Sequence, residues 1–331
     1  MVAVNLYPVG IIGTGKYVPE QILSNHDLEQ MVETNDEWIV TRTGIRERRI
    51  ASKEQATSDL AYEASLKALK AAGLAPEDIE LIIVATITPD TFFPSTACVL
   101  QEKLGAKKAA AFDLSAACSG FIYSLATASN MIATGMYQNA LVIGADTLSR
   151  ITDYTDRNTC ILFGDGAGAA VLGRVPEGRG FQSFELGADG SGGPLLNLAG
   201  GGSRLPSSEE TVNSKAHYIY MAGNEVFKFA VRIMGSAAEQ ALAKAGKTKE
   251  DIDLLVPHQA NIRIIQSALN RLELPDDKAM INVDKYGNMS AASIPVALAE
   301  AVEQNKVNEG DCLVLVGFGG GLTWGASVLI W

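Results

Sequence analysis

The sequence predicts an α/β protein made of two similar halves packed closely together. Short apolar runs rich in β-branched residues alternate with helical patterns, as expected of sheets covered by helices. One stretch of the first half is echoed in the second, LKAAGLAPEDIELIIVA (69–85) aligning with LAKAGKTKEDIDLLVPH (242–258). The chain of 331 residues exceeds the usual size of one hydrophobic core but contains no obvious linker between free-standing domains.

The strand candidates are GIIG, ELIIVAT (80–86), AAAFDLS (109–115), ALVIGAD (140–146), GAAVLG, DLLVPH and CLVLVGFG. Between them lie helical patterns. Ser58 can cap a segment in which Ala61, Ala64, Ala68 and Ala72 recur at spacings of three and four, and Gly73 can close it. This alternation implies mainly parallel sheet. The echo recurs, in the same order, where ALVIGAD matches CLVLVGF and GAAVL (168–172) matches GASVL (325–329). A period of half the chain signifies a duplicated domain rather than a solenoid. The halves should be 1–176 and 177–331, divided in the polar RVPEGRG stretch. Residues 187–209, glycine-rich with Pro194 and Pro206, read as a long loop that is either functional or a surface excursion.

The formal net charge of −11 argues against a broad basic face for nucleic acid. The start, MVAVNLYPVGIIGTG, lacks the charged and long apolar regions of a signal peptide, and no run is apolar enough to span a membrane. A cytoplasmic protein is expected. Its four cysteines, Cys98, Cys118, Cys160 and Cys312, lie far apart and read as reduced thiols. Neither GIIGTG nor GDGAGAAVLG leads into the helix N-terminus of a dinucleotide site, and there is no HExxH, Walker A sequence or Ca²⁺ loop. No metal or redox cofactor is expected.

Cys118, in DLSAACSGF, follows a buried strand and opens a helix that Gly135 can end. A helix N-terminus favours thiolate, and small neighbours admit a carbonyl substrate, although a buried Cys is more often structural. Of the three histidines, His26 and His217 lie in polar surroundings, whereas His258 ends the strand DLLVPH, where open α/β sheets place their sites. A core histidine remains the alternative. Asn288 lies in the turn YGNMSAAS, where Ser290 or a neighbour can cap the next helix, and a turn Asn needs no function. GFGGGLTWG (317–325) permits backbone positions that side chains would block.

Together DLSAACSGF, VPHQAN, YGNMSAAS and GFGGGLTWG, with TNDEWIVTRTGIRER and TDRNTCILFGDGAGA, resemble the 3-oxoacyl-[acyl-carrier-protein] synthase III family of the thiolase superfamily. The resemblance runs along essentially the whole chain. It implies a thiolase-like fold of duplicated α/β halves in a layered αβαβα core. It also implies an acyltransferase that joins a short acyl-CoA primer to malonyl-acyl carrier protein with loss of CO₂, initiating fatty acid synthesis. Cys118 would be the nucleophile, His258 and Asn288 would stabilise the malonyl enolate, and the backbone N–H groups of Cys118 and Gly320 would hold the acyl oxyanion.

By the same resemblance, Trp38 and Arg157 would sandwich the CoA adenine, and Thr34, Arg42 and Asn224 would line the pantetheine tunnel. Phe93 would close the acyl pocket of the other subunit in a homodimer. Lys228, Arg232, Arg263 and Arg271 would meet the acidic carrier protein. Degradative thiolases carry a second Cys near the C-terminal glycine motif, and this chain has none there; elongating synthases have a second His where it has Asn288. Met289 stands where the family commonly has Thr. A papain-like hydrolase also orders Cys, His and Asn in this way but carries other flanking sequences. A non-catalytic acyl or carrier-binding module would not need all three residues, and condensing enzymes of polyketide or quinolone pathways share them. The primer is not legible.

Overall fold

The computed structural model describes residues 6–331; the first five residues of the segment read for a leader lie outside the described residues. Two sheets dominate. The first places its strands in the order Val9–Tyr17, Asp165–Arg174, Asn139–Thr147, Leu81–Ala85, Ala110–Leu114. The second runs Gly180–Ala188, Thr323–Ile330, Cys312–Gly319, Leu254–Pro257. In that order both sheets begin with two antiparallel ladders followed by a parallel one. The first adds a second parallel ladder to Ala110–Leu114, and the second carries at the corresponding edge an isolated parallel bridge between Leu255 and Ala279.

The three sequence echoes fall on equivalent strands: Leu81–Ala85 with Leu254–Pro257, Asn139–Thr147 with Cys312–Gly319, and Asp165–Arg174 with Thr323–Ile330. Duplication is therefore a property of the fold. The expectation of mainly parallel sheet is corrected, because antiparallel ladders outnumber parallel ones. The chain returns from Cys312–Gly319 to Thr323–Ile330 through a tight turn. From Asn139–Thr147 it returns through short turns rather than a crossover helix, so each pair closes antiparallel.

Two helices, Gly120–Ala133 and Ser293–Glu303, lie between the sheets and contact both. They are apolar on nearly every side, as a doubly covered helix must be, with Phe121, Ile122, Leu125, Ile294 and Leu298 fully buried. Thr57–Ala72 and Thr96–Leu104 cover the outer face of the first sheet, and Gly223–Lys244 with Ile262–Leu272 the outer face of the second. The five layers are helix, sheet, helix, sheet, helix.

Local signals held unevenly. Gly73 ends its helix in the left-handed region at φ 67°, and Gly135 follows the end of Gly120–Ala133 at φ 80°. Ser58 is not the N-cap: Ala56 occupies that place, its N–H bound 2.8 Å from the Asp59 carboxylate, and Ser58 lies within the first turn. The 187–209 stretch is not structureless either. It contains the 3₁₀ turn Gly190–Leu195 and the strand Leu196–Asn197, which pairs with Tyr220–Met221.

Candidate active site

The two central helices begin alike. Each is preceded by a 3₁₀ turn, Ala117–Ser119 in one half and Ser290–Ala292 in the other, and each turn opens on a left-handed residue, Ala117 at φ 48° and Ser290 at φ 49°. Such strain in non-glycine residues is sustained only where the surroundings over-determine it. Both turns face a cavity of about 1180 Å³, which Cys118, His258, Asn288 and Gly320 all line.

Cys118 is nearly buried. Its turn is tied to the second half, because Ser119 Oγ lies 2.8 Å from the Ala116 carbonyl and 2.7 Å from Thr323 Oγ1. Gly319 permits the approach: a Cβ there would stand 2.5 Å from the Cys118 nitrogen. Burial pushes the thiol up to about 12, with the neighbouring Ser290 hydroxyl opposing. The expectation that the helix terminus favours thiolate is thus corrected, because desolvation outweighs the nearby donors.

His258 N donates to the Val316 carbonyl at 2.8 Å, and the ring stands edge-on to Phe318 with centroids 5.6 Å apart. It is 1% exposed, its Nδ1 has no hydrogen-bond partner, and burial lowers its pKa to about 3. A neutral imidazole results, suited to donating a hydrogen bond from one ring nitrogen. Ser290 N donates to Asn288 Oδ1 at 2.8 Å, which turns the amide so that its NH₂ is the available donor. The Asn288 backbone is clasped on both sides, donating to the Leu162 carbonyl at 2.8 Å and accepting from Gly164 N at 3.0 Å. Ser290 does not cap the next helix; Ser293 instead accepts from Met289 N at 3.1 Å.

The remaining expected residues lie outside the cavity lining. The Arg42 and Arg157 guanidinium carbons stand 4.9 Å and 5.4 Å from the Trp38 ring centroid. A base held between two planes needs roughly 7 Å, two stacking contacts of about 3.5 Å each, so Arg157 must move outward to admit one. Thr34 Oγ1 is buried without a partner, and Asn224 is exposed. Asn261, which lines the cavity, donates to the Arg42 carbonyl at 2.9 Å and so links this cluster to the cavity wall. Phe93 is 86% exposed beside an equally exposed Phe92. Among the four cations, Lys228 pairs with Glu225 and Arg271 binds Glu239 through two nitrogens. Arg263 lies over the ring of Phe227, which lines the cavity, and neither it nor Arg232 enters an ion pair among the described residues.

Sequence reasoning missed several lining groups. Leu196, Leu198 and Gly200–Gly202, from the stretch whose role was open, form part of the wall, as do Ile87, Thr88 and Phe163. The fully buried Arg48 was also missed. Its Nη2 donates to the Ile161 carbonyl at 2.7 Å, directly before the segment that clasps Asn288. No sequence signal separates it from its surface neighbours in GIRERR.

A family model described as 3-oxoacyl-[acyl-carrier-protein] synthase III matches residues 112–190, and the model of that family's C-terminal part matches 242–331. A β-ketoacyl-[acyl-carrier-protein] synthase III of Desulfitobacterium hafniense is 62% identical over 323 residues, covering 98% of each chain. The chain belongs to the 3-oxoacyl-[acyl-carrier-protein] synthase III family. Two crystal structures of synthase III enzymes share its architecture. That from Thermus thermophilus has a TM-score of 0.92 at 52% identity, covering 97% of this chain and 99% of that one. That from Aquifex aeolicus has a TM-score of 0.91 at 48% identity, covering 98% and 100%. The synthase III family and thiolase-like layered fold expected from the motifs are both met.

Among the described residues no group of three or more His, Cys, Asp or Glu could hold a metal ion. Among the same residues, no helix is long and apolar enough to cross a membrane.

Proposed function

We propose that this protein condenses a short acyl-CoA with malonyl-acyl carrier protein to give 3-oxoacyl-acyl carrier protein, the initiating step of fatty acid synthesis. The observation that carries the reading is the convergence of Cys118, His258 and Asn288 on one cavity, drawn from both halves of a synthase III fold. Cys118 attacks the acyl-CoA thioester and keeps the acyl group as CoA leaves. Malonyl-carrier protein then enters, and the imidazole of His258 with the NH₂ of Asn288 donates to its thioester carbonyl as CO₂ departs. The carbanion attacks the acyl-Cys118 carbonyl, whose oxygen is held by the N–H groups of Cys118 and Gly320. Each step moves electron pairs within thioesters, so the chemistry needs no cofactor.

The halves 1–176 and 177–331 supply the nucleophile and the enolate donors respectively. Trp38 and Arg157 take the adenine of CoA, and Thr34, Arg42 and Asn224 its pantetheine. Arg232 and Arg263, unengaged by carboxylates, are the stronger carrier contacts; Lys228 and Arg271 join them by exchanging partners. Phe93 completes the acyl pocket of a second copy in a homodimer, and the enzyme works in the cytoplasm.

His258→Ala and Asn288→Ala test the reading. Each should retain acylation of Cys118 from radiolabelled acyl-CoA yet lose CO₂ release from malonyl-carrier protein by about 10² to 10³. If both variants stop acylating, the two residues instead serve Cys118 as a hydrolase-like base and its orienter.

A further inference from the structure

Behind Cys118 lies a carboxyl group that the scheme above does not use. Asp146, near the end of strand Asn139–Thr147, is fully buried and enters no ion pair among the described residues. Its Oδ1 accepts from Thr86 Oγ1 at 3.0 Å, Ile87 N at 2.9 Å and Thr88 at both N (3.2 Å) and Oγ1 (2.9 Å). Its Oδ2 accepts from Ala291 N at 3.2 Å. Burying a carboxyl without a cation is costly, so a site that retains one calls for a reason.

Ser290 belongs to a turn that touches both this carboxyl and the Cys118 turn. It is fully buried and lines the cavity, and its hydroxyl oxygen has no well-formed hydrogen bond. The next residue, Ala291, already binds Asp146 Oδ2, and the turn that holds Ser290 packs against the Cys118 turn at the cavity, so the hydroxyl is free to turn to either group. The left-handed backbone of Ser290 holds it there. His258 is a poor proton acceptor in this setting, since burial alone pulls its pKa to about 3.

We propose that Ser290 and Asp146 form a proton path from Cys118. As the sulfur bonds to the acyl carbon, its proton passes to the Ser290 oxygen and the Ser290 proton passes to Asp146 Oδ2. The CoA sulfur departs with the electrons of the broken C–S bond and takes a proton from solvent. In condensation the electrons left by CO₂ form the new C–C bond, the acyl–Cys118 bond breaks, and the sulfur recovers its proton from Asp146 through Ser290. The proton is borrowed once and returned once per turnover. The path explains how a deeply buried thiol reacts without first existing as a thiolate.

The inference rests on Cys118 being the nucleophile, and its test is made independent of the acyl substrate. Alkylation of Cys118 by iodoacetamide, followed by peptide mass spectrometry, is measured for the full-length protein and for Ser290→Ala and Asp146→Asn. Single-turnover acylation by acetyl-CoA is measured in parallel. Both variants should alkylate and acylate at least tenfold more slowly, with half-saturating acetyl-CoA unchanged, because general acid–base transfer contributes about 10² to 10⁴. If Ser290→Ala reacts at the wild-type rate, the path is wrong. If Ser290→Ala is slow while folded Asp146→Asn is not, the hydroxyl acts only as a hydrogen-bond donor and the relay is also wrong. Should Asp146→Asn fail to fold, the solvent deuterium isotope effect on alkylation decides: slower wild-type reaction in D₂O that Ser290→Ala abolishes supports the path, and equal wild-type rates in H₂O and D₂O overturn it. A wild-type protein that alkylates at Cys118 but takes no acyl group would count against the proposed function and leave the alkylation comparison decisive for the path.

Discussion

Gly319→Ala is the most economical perturbation of the acylation site. Gly319 has an extended backbone, with φ −160° and ψ −173°, so alanine suffers no conformational strain there. The added methyl instead meets Cys118 N at 2.5 Å and the Ala117 Cβ at 3.0 Å. Ordinary contact begins near 3.4 Å, so the Cys118 turn must retreat by roughly 0.9 Å. That turn carries both the nucleophile and one proposed oxyanion donor, and a displacement of about 1 Å typically lowers a rate about 10²-fold. Overpacking should also destabilise the fold by about 1 to 3 kcal/mol. The assay is the burst of Cys118 acylation by acyl-CoA, followed by intact-protein mass spectrometry at a temperature where the variant remains folded. Gly73→Ala is the control. It too introduces a methyl, but into open space at a helix end, so it should lose stability through its left-handed backbone and acylate normally. Wild-type acylation by Gly319→Ala would refute the claim that the close approach of Gly319 positions the Cys118 backbone.

Two further outcomes are expected. Trp38→Ala should raise half-saturating acyl-CoA about tenfold while leaving malonyl-carrier use unchanged, since stacking and cation–π contacts are worth about 1 to 2 kcal/mol; equal losses for both substrates would rule out the stacking role. His258 should make the fold acid-sensitive: its folded pKa of about 3 lies below its ordinary value of 6.5, so between those pH values the unfolded chain binds one more proton. Stability is then lost as pH falls from 6.5 toward 3, by up to about 1.4 kcal/mol per unit. Urea denaturation of wild type and His258→Asn from pH 7 to 5 should show a shallower slope in the variant, and parallel curves would exclude His258 as the source.

The strands and the duplication were legible because they are written locally. A buried strand needs a short β-branched run, a helix end needs a Gly able to take positive φ, and a repeated unit repeats its pattern. Ladder direction was less legible, because alternation of strand and helix does not say which connections cross over and which turn back. Ser58 was misplaced as a cap because Asp59 reaches back to Ala56 N, a competition between neighbouring polar residues that composition does not rank.

For the site, sequence determined the candidates: a cysteine at a strand-to-helix turn, a histidine at a strand end, an asparagine in a glycine turn, and motifs that named the family. Tertiary structure decided their state and company. The Cys118 thiol is protonated and the His258 imidazole neutral because burial disfavours charge, and burial is a sum over neighbours far apart in the chain. Ser290 meets Cys118 and Asp146 only because the two halves fold face to face, bringing the turns before the two central helices against one cavity. No local pattern could reveal that meeting, since Ser290 stands more than a hundred positions from both and is joined to them only by packing.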